Sequence, residues 1–261
     1  MLARVMLVLA AWTSTAGAQA SPVQLTYLGN MGVMLAGGGR VVVVDGLHRG
    51  ELAEYAAIPD TLLTLLENGR APYARISVAL TTHRHGDHFN PLSVASRLSA
   101  DTAMMYAAPA ETIDSLVGRS AAWASSPRIL RLGPPVAGRE RVVDGVTALG
   151  LPHNPTRTRL AENVGYLIEI GGLRILHVGD ADPNVDTYRA LHLDAERIDI
   201  AIVPFWYLVG GSDSLRSAIR PRTWVASHVP PGEAARVKRE VQGMYPNALV
   251  LVEPGEQRSL R

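Results

Sequence analysis

The hexapeptide His83-Arg84-His85-Gly86-Asp87-His88 places three imidazoles and a carboxylate directly after an apolar run, Ile76-Ser77-Val78-Ala79-Leu80. An apolar run of that length predicts a buried strand, so the hexapeptide forms the loop at its end. In extended backbone His83 and His85 point the same way, while the neighbours Asp87 and His88 diverge. One short loop can therefore serve two adjacent cations. Two metals about 3.5–4 Å apart make a hydrolytic centre. The bland alternative is a solvated polar turn, but a chance match this dense is rare at the chain's histidine and aspartate frequencies.

The chain has 261 residues, 47% of them hydrophobic, which suits one large globular domain rather than disorder or a coiled coil. Residues 1–20 read as a secretory signal: Arg4 as a small positive start, Val5 to Trp12 as the apolar stretch, and Ala18-Gln19-Ala20 as the cleavage site. A retained membrane anchor is the alternative, yet the apolar stretch breaks at Thr13-Ser14-Thr15, short of the roughly 20 residues a span needs. The expected mature protein is a single domain, residues 21–261, starting at Ser21, periplasmic or secreted, without stable membrane insertion. Loss of Arg4 would leave 24 basic against 24 acidic residues, from 25 and 24 in the full chain. That balance gives no reason to expect a nucleic-acid partner; a small-molecule substrate is expected instead. With no cysteine, core packing and metals must hold an exported chain, and metal ligands must be nitrogen or oxygen.

No repeat, low-complexity block or long linker follows the leader. Short apolar runs punctuated by glycine, Val23 to Leu28, Gly32 to Leu35 and Arg40 to Val44, predict antiparallel strands. Helices are predicted from Pro59-Asp60 to Asn68-Gly69, and from Pro91 with Leu92, Val94, Ala95 and Leu98 turned inward. A strand near Ala103 to Tyr106, a helix over Ala110 to Val117 and several strands between Arg128 and Leu151 continue the pattern. Later strands are Val164 to Ile170, Leu173 to Val178, Ile198 to Val203, Thr223 to Ala226 and Ala248 to Val252, with helices near Ser214 to Ile219 and Gly232 to Gln242. Strands clustered early and then mixed with helices predict an α/β protein, a four-layer αββα sandwich.

Three more candidate ligands follow strands directly: His153, Asp180 and His228. Taken singly, each reads as an ordinary surface histidine or turn aspartate. As an ordered set after H-x-H-x-D-H they resemble the metallo-β-lactamase-fold hydrolase superfamily, over about Val23 to Val252. Tyr27-Leu28-Gly29-Asn30, Asp45 and Asn163-Val164-Gly165-Tyr166 are most similar to its broad branch of sugar-lactone and phospholipid hydrolases. True β-lactamases of the fold carry a different residue where Asp180 stands. The resemblance implies that His83, His85 and His153 hold one metal, that Asp87, His88 and His228 hold a second, and that Asp180 bridges them.

The implied activity is hydrolysis of an ester, lactone, amide or phosphodiester by a metal-bridging hydroxide, with Asp87 orienting it and moving its proton. Zinc is the expected metal, and nitrogen and oxygen ligands also accommodate manganese or iron. Asp45 is a candidate acceptor for a ligand imidazole N–H, or an ordinary turn residue. Arg157, Arg159, Asn163 and Tyr207 are candidate substrate contacts, against structural or solvated roles for each. His48, His177 and His192 read as structural or surface residues. Two other classes stay open: an iron-dependent redox protein of the same fold, dioxygenase or di-iron, and a non-catalytic metal-binding protein.

Overall fold

The computed structural model describes residues 22–50, 53–133, 138–155 and 160–261. The expected leader, residues 1–20, and Ser21 lie outside them, as do Arg157 and Arg159. A β-meander opens the fold: β1 (Val23–Gly29), β2 (Gly32–Gly37) and β3 (Arg40–Val44) pair antiparallel in sequence. Then α1 (Asp60–Glu67), β4 (Val78–Leu80), α2 (Pro91–Ala100), β5 (Met105–Pro109), α3 (Ala110–Arg119) and β6 (Ile129–Leu132) form crossovers that extend the sheet in parallel. The second half repeats this plan. Strands β7 (Arg139–Val143), β8 (Val146–Leu149), β9 (Gly165–Ile170) and β10 (Leu173–His177) are antiparallel neighbours. They are followed by α4 (Val185–Ala190), β11 (Ile200–Pro204), α5 (Asp213–Ile219), β12 (Thr223–Ser227), α6 (Ala234–Met244), β13 (Leu249–Val250) and β14 (Gln257–Leu260).

The first sheet runs β14-β1-β2-β3-β4-β5-β6 and the second β13-β12-β11-β10-β9-β8-β7. Leu25, Val33, Val44, Tyr166, Ile168 and Ile202 belong to one buried cluster shared by both sheets. Each sheet's other face is covered by helices, with Leu66, Leu98 and Ile113 over the first and Tyr188, Leu215 and Val237 over the second. Two apolar faces per sheet account for strands such as β11 that are buried throughout. This is the αββα sandwich that the strand and helix order predicted.

Three details depart from the sequence reading. The chain returns after Val252: β14 pairs antiparallel with β1, Val23 opposite Leu260, and protects that edge. Helix α4 was not anticipated, because its six residues are too short for an apolar period; the Asn184 side chain, accepting from the Asp186 N–H, starts it. In α2, Val94 and Leu98 are buried but Leu92 is 57% exposed, since two residues' separation turns it about 200° from Val94.

Candidate metal centre

The parallel strands of each sheet end at one edge of the sandwich, and the candidate ligands stand in the loops there. After β4 the chain bends at Thr82 and is irregular through His85. The His88 and Phe89 N–H groups then donate to the His85 carbonyl, both at 2.9 Å, folding Gly86-Asp87 into a turn. The turn swings His88 beneath His83, ring centroids 4.0 Å apart, so the two metal-facing directions arise from a turn rather than from strand alternation alone. His153 pairs with Ala181 in an isolated bridge, which ties the loop after β8 to the one after β10. Gly179 has φ +59°, and a Cβ there would lie 2.6 Å from both Asn163 Oδ1 and Thr82 Cβ; only glycine lets the chain aim Asp180 inward at this point. His228 is itself left-handed at φ +59°, held by its N–H donating to the Asn30 carbonyl at 3.1 Å.

The ligand atoms converge in three overlapping groups, each within 4.8 Å: His83, His85 and His153; Asp87, His88 and His228; and His83, His88 and Asp180. Asp180 lies between the two outer triads, Oδ1 3.5 Å from His88 Nε2 and Oδ2 3.2 Å from His228 Nε2. Nε2 of His83, His85, His153 and His228 and Oδ1 of Asp180 are buried with no hydrogen-bond partner among the described residues. Orphaned polar atoms are costly and rare in folded proteins. Divalent cations are partners that satisfy all of them together, and an all-nitrogen-and-oxygen set fits zinc, manganese or iron.

Groups behind the ligands fix their tautomers. Asp45 is fully buried and accepts from the Thr82 N–H and hydroxyl, both at 2.7 Å, and from His88 Nδ1 at 2.9 Å. Burial pushes its carboxyl up, but the charge and hydrogen bond of His88 outweigh this and hold it below the usual value. With its proton given to Asp45, the Thr82 oxygen accepts from His83 Nδ1 at 3.1 Å. His153 Nδ1 donates to the Asn154 carbonyl at 2.8 Å. The contacts of His83 and His153 leave Nε2 bare toward the centre, whereas His88 Nε2 lies 3.2 Å from the Asn30 amide nitrogen. Burial, then His88, pushes His83 well below the usual imidazole range, so it stands neutral and ready to bind. In Asp180, burial acts upward but His228 and His88 prevail, keeping it ionised.

Asn163 and Tyr207, expected as substrate contacts, are employed elsewhere. The fully buried Asn163 amide donates to the carbonyls of Leu151 and Val178, and its oxygen accepts from the Asp180 N–H. Tyr207 is buried against Tyr188, its hydroxyl donating to the Ala181 carbonyl at 2.7 Å. Neither lines the cavity over the ligands. His177 and His48 are buried, and each has a ring nitrogen near a main-chain carbonyl, Met31 and Gly29 respectively. Asn30, named in the sequence only within Tyr27-Leu28-Gly29-Asn30 and given no role there, holds the catalytic candidate: its amide donates to Asp87 Oδ2 at 3.0 Å and to the Asp87 carbonyl at 3.2 Å. Its place after Gly29 marks a turn, but a contact 57 residues away leaves no local trace.

Two mixed sheets face to face, helices outside, and a His/Asp metal site at the strand ends define the metallo-β-lactamase fold class. The family model described as the beta-lactamase superfamily domain matches residues 57–252, and the chain belongs to that family. It is similar to a UPF0173 metal-dependent hydrolase of Thermococcus onnurineus, 26% identical over 79% of this chain and 84% of the relative. A UPF0173 metal-dependent hydrolase of Thermus thermophilus is 24% identical over 90% and 97%. The solved structure of Igni18, a metallo hydrolase from Ignicoccus hospitalis, matches with TM-score 0.60 at 18% identity, covering 92% of this chain and 99% of that one.

Proposed function

We propose that the protein is a metal-dependent hydrolase that works with two divalent cations, most simply zinc, and cleaves an ester, lactone, amide or phosphodiester. The observation that carries this reading is the set of overlapping ligand groups, whose buried donor atoms lack partners among the described residues. Both curated relatives named above are metal-dependent hydrolases. Cations bound there supply an acidified water at neutral pH and a Lewis acid for a substrate oxygen.

The chain's own residues do the rest. His83, His85 and His153 would hold one cation, Asp87, His88 and His228 the other, with Asp180 shared. Asn30 pins Asp87 Oδ2, fixing the carboxylate so that it takes the attacking water's proton and later delivers it to the leaving group. Half-burial of His85 and the open cavity above Asp87 and His228 let substrate reach the ligand cluster. Elemental analysis of natively produced protein tests the metal content: about two zincs per chain is expected for such a centre. Iron with oxygen consumption on substrate would transfer the reading to redox chemistry. Metal-replete protein inert toward esters, lactones, amides and phosphodiesters would make it a binding protein. Export is part of the proposal, tested by N-terminal sequencing of the secreted or periplasmic fraction, where Ser21 is the expected first residue.

A further inference from the structure

The cavity over the metal centre measures about 670 Å³, enough for a small organic molecule. Its floor is His85, Asp87, His153, Asp180 and His228. Aromatic surface starts at the ligands themselves. Tyr55 and Trp206 both pack edge-on against His228, ring centroids 4.1 and 5.0 Å away, and Phe205 lies 5.5 Å from Trp206. The other charged side chains of the described wall are carboxylates: exposed Glu54, exposed Glu233, which is ion-paired with Arg236, and half-buried Asp182. The Trp206 indole Nε1 is buried and has no hydrogen-bond partner among the described residues, a donor left for a partner from outside them.

Flat apolar groups gain most from aromatic walls, whereas carboxylates around a cleft repel an approaching anion. We propose, on the hydrolase reading above, that this pocket takes an uncharged ester, lactone or amide bearing a flat apolar group. Trp206 is its specificity residue: the indole ring holds that group and the indole N–H donates to a substrate oxygen. In the reaction the water oxygen bonds to the acyl carbon, the C–O or C–N bond breaks, and the water's proton ends on the leaving alcohol or amine. Phosphodiesters and substrates with a charged acid group beside the scissile bond are thereby disfavoured.

The test uses the metal-loaded full chain and two aryl esters that differ only in a ring sulfonate. The neutral ester should show kcat/KM about tenfold higher, because the sulfonate brings an anion up to the wall carboxylates while the ring contact is kept. Trp206→Leu should retain the metal content and raise KM about tenfold more for the neutral aryl ester, which loses the ring contact as well as the N–H donor, than for a methyl ester, which loses the donor alone. Trp206→Phe should keep most of the aryl preference while losing the donor. Because Trp206 touches His228, Phe205→Leu reports the same preference if Trp206→Leu loses metal. Calorimetry with a neutral aryl ketone, which cannot be hydrolysed, separates binding from chemistry. Ketone affinity that falls in Trp206→Leu while no ester is cleaved would support this selectivity and sink the hydrolase reading. Ester cleavage indifferent to the sulfonate and to Trp206, or faster cleavage of a phosphodiester, would overturn the inference alone.

Discussion

Asp87 carries the most chemistry per atom. Its carboxylate joins His88 and His228 in one ligand group, and Asn30 holds its Oδ2. Asp87→Ala should lower kcat at least about 100-fold, the lower scale of general acid–base catalysis. Turnover normalised to measured metal content checks this, and wild-type turnover in a metal-replete variant would remove the role. His48 shows how burial acts at the same scale. Burial, then His88, pushes this imidazole from 6.5 down to about 4. As pH falls through that window the unfolded chain gains a proton the folded one refuses, so stability is lost. Between about pH 7 and about pH 5 the loss is about 2 kcal/mol, from the free energy per unit of pKa shift. Urea unfolding of metal-free wild type and His48→Gln should show a shallower pH dependence in the variant; equal slopes would exclude His48 as the source.

Among elements, the decisive link joins the ends of β8 and β10. Asn163 donates to Leu151 and Val178 at 2.8 and 3.2 Å and accepts from the Asp180 N–H at 3.3 Å. One side chain thus sets the spacing between the loops that bear His153 and Asp180. Asn163→Leu leaves buried main-chain groups unpaired, and each costs about 1–3 kcal/mol. Metal affinity should also drop, by about 10–100-fold as for other groups that orient metal ligands. Denaturant unfolding and competitive metal titration measure the two effects, and a variant with wild-type metal affinity would show that the strut does not position the site. The strand ends themselves were readable, because β4 and β10 are apolar runs that stop directly before polar loops. Asn163 was not readable as a strut. Its partners lie 12 to 17 residues away, a distance bridged only once β8, β9 and β10 pair.

For the molecule as a whole, stability and metal binding should be coupled. The chain has no cysteine, so no disulfide holds the two sheets together, and the ligands come from loops of both: His83, His85, Asp87 and His88 follow a first-sheet strand, while His153, Asp180 and His228 follow second-sheet strands. A cation bound only by the folded state at 100 to 1,000 times its Kd adds about 3–4 kcal/mol. At roughly 2–4 °C per kcal/mol for this size, chelation should lower Tm by about 10 °C, and added zinc should restore it. Superimposable melting curves with and without chelator would mean the site is formed and held without metal.

The sequence alone determined the strand and helix order apart from α4 and β14, and with it the layered architecture, because apolar periods and turn residues are local properties. It also determined which side chains can ligate metal, since three histidines and an aspartate in six positions are a chemical fact before they are a structural one. Only the tertiary structure decided how those ligands meet: the turn that brings His88 under His83, Asp180 between the two triads, and Asn30 on Asp87. It likewise decided that Asn163 and Tyr207 are braces and that Tyr55, Phe205 and Trp206 form the wall. These depend on contacts between residues far apart in the chain, and such distances are set only when two sheets pack and their strand ends share one edge.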